Sequence, residues 1–182
     1  MPRLFIALDV PPDVAGRLLR MLPDHRGIRP TPAAQLHLTL RFLGERDEQV
    51  TIRIGHALRQ VSVPPMALQV QGVGRFRGAQ GAILWAGLAE SSALTMLFDA
   101  IGEALASVDI PPERRRFWPH LTMARCRPGV PERLLHDWLA THRTLTLPPW
   151  QAGRFVLFES ILGRDGAQHL PLQVYDHITP DC

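Results

Sequence analysis

Between Leu36 and Phe42 every second residue is apolar: Leu36, Leu38, Leu40 and Phe42 alternate with His37, Thr39 and Arg41. A strand directs alternate side chains to opposite faces, so the pattern predicts a strand with an apolar core face and an open His-Thr-Arg face. The signature returns in WPHLTMARCR, where Leu121 and Met123 take the core face and His120 and Thr122 the open one. Strict alternation puts Cys126 on the His120 face and Arg125 on the Met123 face. Arg125 then reaches the open face only if a bulge or strand end interrupts the chain near Ala124.

Leu4 to Asp9 alternates as well, with Leu4, Ile6, Leu8 and Val10 on one face and Arg3, Phe5, Ala7 and Asp9 on the other, and Pro11-Pro12 ends it. The second face is mixed, as a cleft floor would be, and Phe5 on it is a candidate for stacking on a nucleobase. Val14, Leu18 and Leu22 recur at helical spacing, and Pro30 and Pro32 break the chain before the first His-Leu-Thr. A helix is predicted from about Asp47, with Val50, Ile54, Leu58 and Val61 on one face, followed by a strand from Leu68 to Phe76 that Gly72, Gly74 and Gly78 bend or end. Ala82 to Leu88 is a further strand, and Ser91 or Ser92 can cap a helix with Leu94, Leu97, Phe98, Ile101 and Leu105 along its stripe. Pro131 opens a helix carrying Leu134, Leu135, Trp138 and Leu139. Strands near Arg154–Leu162 and Leu170–Tyr175 close the chain, joined across Gly163-Arg164-Asp165-Gly166.

These elements repeat. Strand, helix, His-Leu-Thr strand, helix and strand occur once over about residues 1–78 and again over about 79–182. Leu4 to His37 spans 33 residues and Ile83 to His120 spans 37; His37 to Leu68 spans 31 and His120 to Phe155 spans 35. The halves share little else, so an internal duplication of supersecondary structure within one bilobal domain, 1–182, is expected. A pseudo-twofold axis would then gather two imidazoles and two hydroxyls around one cleft. That set suits in-line displacement at phosphorus: one imidazole takes a proton from the attacking oxygen and the other gives one to the leaving oxygen. Threonine hydroxyls can donate to the non-bridging oxygens, and no metal or cofactor is called for. A single H-x-T would be an ordinary strand sequence; two copies at matching places are not.

Composition sharpens the picture in three respects. All 20 basic residues are arginine and net charge is +3, with a pI near 9.6. Coding bias is the plainer account; a surface that grips phosphate oxygens through guanidinium forks is the functional one, and charge alone does not choose between them. No apolar run approaches the ~18 residues that would span a membrane, and the N-terminus does not read as a signal peptide, so a cytoplasmic location is expected. The two cysteines, Cys126 and Cys182, are expected to be reduced, and no Cys or His spacing reads as a zinc site. His25, His56, His136, His142, His169 and His177 lack motif context and are taken as surface or packing residues.

The paired H-x-T-x motifs, with RLFIALDVP, LHLTLRFLGE, ILWAGL, PPERRRFWPHLTMAR and FVLFESILG around them, resemble the 2H phosphoesterase superfamily. The nearest resemblance is to its bacterial and archaeal RNA 2′,3′-cyclic phosphodiesterases, historically called 2′-5′ RNA ligases. The resemblance implies two α+β lobes, each with an antiparallel sheet, around a central cleft. It implies metal-independent hydrolysis of a 2′,3′-cyclic phosphate to a 2′-phosphomonoester, with RNA 2′-5′ ligation or another small cyclic nucleotide phosphate as alternatives. His37 and His120 fall on the catalytic histidines, Thr39 and Thr122 on the phosphate-holding threonines, and Arg125 on a phosphate contact, with Arg41 a lesser candidate. A non-catalytic RNA-end binding module is the competing class, and two intact motifs argue against it. RNA ends or small cyclic nucleotides are the expected partners, with the chain a monomer needing no protein partner.

Overall fold

A row of leucines and isoleucines on alternate positions cannot stay in water, and the chain buries it by stacking helices against one side of a sheet. The computed structural model describes residues 1–163 and 166–176. Its strands are β1 (Arg3–Asp9), β2 (Ile28–Pro30), β3 (His37–Glu45), β4 (Met66–Leu68), β5 (Val70–Gly78), β6 (Gly81–Leu88), β7 (His120–Cys126), β8 (Trp150–Ala152), β9 (Arg154–Gly163) and β10 (Gly166–Asp176). Its helices are α1 (Pro12–Arg20), α2 (Glu48–Leu58), α3 (Ser92–Ala106) and α4 (Glu132–His142). Arg164 and Asp165 of the expected hairpin turn, with His177 and Cys182, lie outside the described residues.

The helix starts follow local chemistry. Asp47 accepts a hydrogen bond from the Val50 N–H at 2.8 Å and Ser91 from the Leu94 N–H at 3.2 Å, each satisfying a donor that the first turn leaves open. Pro131 precedes α4, where its missing N–H costs nothing. The α3 stripe of Leu94, Leu97, Ile101 and Leu105 is buried, each side chain contributing ~1.5–3 kcal/mol of hydrophobic stabilisation.

The order β10-β9-β1-β3-β7-β6-β5 forms one antiparallel sheet, with β2 paired to β7, and β4 and β8 form a separate ribbon. The sheet has two lobes, β10-β9-β1-β3 and β2-β7-β6-β5, joined where Leu38 of β3 pairs with Leu121 of β7. Each is the residue between the His and the Thr of its motif. The last strand of each half of the chain crosses over: β5 pairs with β6, and β9 pairs with β1. Neither sequence half therefore makes its own sheet. The single expected strand from Leu68 is interrupted after Leu68, the ribbon strand β4 preceding β5, whose bulge near Gly72 uses a φ of +72°.

The sheet bends back on itself. A Cβ built on Gly166, at the start of β10, would lie 3.2 Å from Arg29 Nη2 of β2, in the other lobe. Arg29 pairs with Arg125, and Arg125 with Ile83, two residues from the Trp85 that faces Thr122. The bend therefore closes toward the face carrying the motifs and makes it a cleft.

Candidate active site

Both motif strands carry a bulge at the same place. In β3, Ile6 faces Arg41 and Ala7 faces Thr39, which leaves Leu40 as the extra residue. In β7, Leu84 faces Ala124 and Trp85 faces Thr122, which leaves Met123 as the extra residue. A bulge immediately after each threonine reverses the alternation beyond it. Leu40, Arg41 and Leu43 are buried and Phe42 is exposed; Met123, Ala124 and Cys126 are buried and Arg125 is exposed. Thr31 braces the second bulge, its N–H donating to Met123 O at 2.9 Å and its hydroxyl to Thr122 O at 2.7 Å.

Two expectations change as a result, and a third is met. Arg41 does not share the His37 face: it is 8% exposed on the core side, and its Nη2 donates to the Pro111 carbonyl. Cys126 lies on the core side rather than beside His120, and burial pushes its thiol up. Arg125 stands on the His120 face opposite Ile83, through the interruption that alternation required. Phe42 and Arg125 occupy matching positions, three residues past their threonines, so one lobe offers an exposed ring where the other offers a cation.

The two imidazoles are held alike. His37 Nδ1 lies 2.7 Å from Gln35 O, and His120 Nδ1 lies 2.7 Å from Trp118 O. A carbonyl only accepts, so each Nδ1 carries a hydrogen and Nε2 is the basic nitrogen of the neutral ring. Rings brace both. His37 has Phe5 at 5.0 Å and the edge of His169 at 5.0 Å. His120 has the edge of Phe76 at 5.0 Å and Trp85 at 6.1 Å. The antiparallel register around Leu38 and Leu121 carries His37 toward Thr122 and Thr39 toward His120. Burial holds His37 down to about 4, over the opposing effect of its Gln35 hydrogen bond, with His169 and His120 adding to the depression and Asp9 resisting it. Asp9, opposite His37 in the register, is itself engaged by Arg154 at 2.7 Å and 2.9 Å.

Phe5 is corrected as a base-stacking candidate. It does line the motif face, but it is 4% exposed, with Phe158 stacked at 5.1 Å and His169 edge-on at 4.8 Å. It is a floor under the cleft. The exposed rings on this face are Phe42, Phe76 and Trp118. His169, expected as a surface or packing residue, enters the cleft because β10 pairs with β9 and β9 with β1. No local signal marks it, since its position depends on two long-range strand pairings; burial lowers its pKa. Among the described residues no three His, Cys, Asp or Glu side chains gather as a metal-ligand set. A hollow of about 470 Å³ lined by Arg41, Phe98, Glu103 and Glu113 lies apart from both motif histidines.

The geometry has counterparts. The family model described as the 2′-5′ RNA ligase superfamily matches residues 10–163. An RNA 2′,3′-cyclic phosphodiesterase of Archaeoglobus fulgidus is 29% identical over 96% of this chain and 99% of its own. One of Thermotoga maritima is 31% identical over 90% of this chain and 89% of its own. A crystal structure from Thermus thermophilus superposes with a TM-score of 0.74 at 27% identity, over 96% of this chain and 97% of that one.

Proposed function

Since the chain belongs to the 2′-5′ RNA ligase superfamily, we propose that its cleft hydrolyses RNA 2′,3′-cyclic phosphate ends to 2′-phosphomonoesters. Water adds to phosphorus in line with O3′: the bond from phosphorus to the water oxygen forms as the bond to O3′ breaks. One imidazole Nε2 takes the water proton and the other delivers a proton to O3′, each such transfer contributing ~10²–10⁴ in rate. Thr39 and Thr122 donate to the non-bridging oxygens, and Arg125 stabilises the charge that builds on them. Phe42, rather than Phe5, offers the ring on which the terminal base stacks. The observation that carries this reading is the matched pair of imidazoles, each tied through Nδ1 to a carbonyl 2.7 Å away, on the two strands that join the lobes.

The test is turnover of 2′,3′-cyclic AMP and of an oligonucleotide with a cyclic phosphate end, in EDTA, with the product isomer identified. Wild type should yield the 2′-phosphate without added metal, and His37→Ala and His120→Ala should each lose at least ~10²-fold. Near-wild-type turnover in either variant would refute the two-histidine mechanism. Loss of activity in EDTA that Mg²⁺ restores would refute the metal-independent one.

A further inference from the structure

The segment between α3 and β7 carries Arg114, Arg115 and Arg116 in succession, all exposed, and ends in the Trp118 whose carbonyl orients His120. None of the three guanidiniums has an ion-pair partner among the described residues. Glu113, the nearest acid in sequence, is folded back on the neighbouring backbone, its carboxylate accepting from the Arg114 N–H at 3.0 Å and the Arg115 N–H at 3.3 Å. It shapes the turn rather than neutralising the arginines.

The segment is also pinned at both ends. The buried Arg41 donates to Pro111 O at its start. Near its end Phe117 stacks on Phe98 of α3 at 4.1 Å and 12°. The arginines therefore stand on a preset turn, which lowers the ordering cost of binding. Aromatic rings lead from them to the chemistry: Trp118 is 54% exposed and edge-on to Trp85 at 6.3 Å, and Trp85 lies 6.1 Å from His120. Unpaired cations beside an exposed ring are how proteins hold single-stranded nucleic acid, with phosphates on the cations and bases on the ring. A mononucleotide held between the two histidines would leave the arginines unused.

We propose that residues 113–118 dock the RNA strand running 5′-ward from the cyclic end, with a preceding base on Trp118 and its phosphates on Arg114, Arg115 and Arg116. This rests on the cyclic phosphodiesterase reading and adds the surface that holds the strand beyond its reacting end.

The experiment compares two substrates, 2′,3′-cyclic AMP and a six-nucleotide RNA ending in a cyclic phosphate, across a salt series. A variant with all three arginines changed to alanine should raise KM for the RNA ~10-fold or more while kcat/KM for 2′,3′-cyclic AMP stays within about twofold. Its dependence of log(kcat/KM) on log[salt] for the RNA should flatten by ~2, at about 0.7 for each single-strand phosphate no longer neutralised. Trp118→Ala should raise KM for the RNA with the salt slope unchanged. Equal losses on both substrates, or no loss on the RNA, would overturn the proposal. Should wild type turn over neither substrate, the reading of the cleft fails first. Fluorescence anisotropy with a 3′-phosphate-ended RNA then decides the dock separately, and equal affinity in wild type and the triple variant overturns it.

Discussion

His37 should remain neutral far below the pH at which a free imidazole protonates. Its value of about 4, against 6.5 for the ordinary side chain, follows chiefly from burial, with His169 and His120 contributing in the same direction. At pH 7 only ~10⁻³ of the empty enzyme then carries a proton on this ring. The assay is NMR of the imidazole nitrogens from pH 8 down to about 3.5, with His37 assigned by loss of its signals in His37→Gln. Above its midpoint the ring should hold its Nδ1–H tautomer, because Gln35 O accepts from that nitrogen. Binding sulfate, which does not titrate there, should raise the midpoint, since an anion at the phosphate site favours the imidazolium. His169→Phe keeps an aromatic ring against Phe5 and removes one source of repulsion, so it should raise the midpoint only in part, burial being the larger cause. The same depression enters stability. Between pH 6.5 and 4 the unfolded chain binds a proton at His37 that the folded chain refuses, so this residue's contribution to stability falls as pH drops through that window. The change is at most ~3 kcal/mol, less to the extent that water reaches the ring from the cleft, and His37→Gln should flatten it. A midpoint near 6.5 in the empty enzyme, or one unmoved by sulfate, would refute the reasoning.

Two further outcomes separate the two candidate phosphate-binding arginines. Arg125→Ala should lower turnover ~10²-fold with the melting temperature unchanged, and Arg125→Lys should fall between it and wild type, because the charge stays and the fork is lost. Arg41→Met should do the reverse: it removes the guanidinium that donates to Pro111 O, a charge-assisted hydrogen bond worth ~1.5–3 kcal/mol, with turnover of 2′,3′-cyclic AMP per folded molecule little changed. Kinetics beside thermal melts check both, and a catalytic loss confined to Arg41 would restore it to the cleft. Gly74→Ala should lower the melting temperature and turnover together, since a Cβ there overlaps the Trp85 indole that braces His120. An unchanged melt would show that the indole yields freely.

Much of this protein could be read from local pattern. Alternation around His37 and His120, helical stripes in α2 and α3, the helix start near Asp47 and the cap at Ser91 are set by residues a few positions apart, and they appear where the sequence puts them. The repeated H-x-T named the four central polar residues, because period-two geometry already puts His and Thr on one face. What alternation could not supply lies beyond each threonine. The extra residues Leu40 and Met123 show only in the register with β1 and β6, and they reverse what alternation gives, sending Arg41 inward and Arg125 outward. The crossing of β5 and β9 between lobes, the approach of β10 that brings His169 to His37, and the covering of Phe5 all depend on partners far along the chain. Short-range periodicity reflects backbone geometry and is written locally. Which face is open, and what fills it, is decided by strand pairing and burial between distant segments, and these belong to the folded chain as a whole.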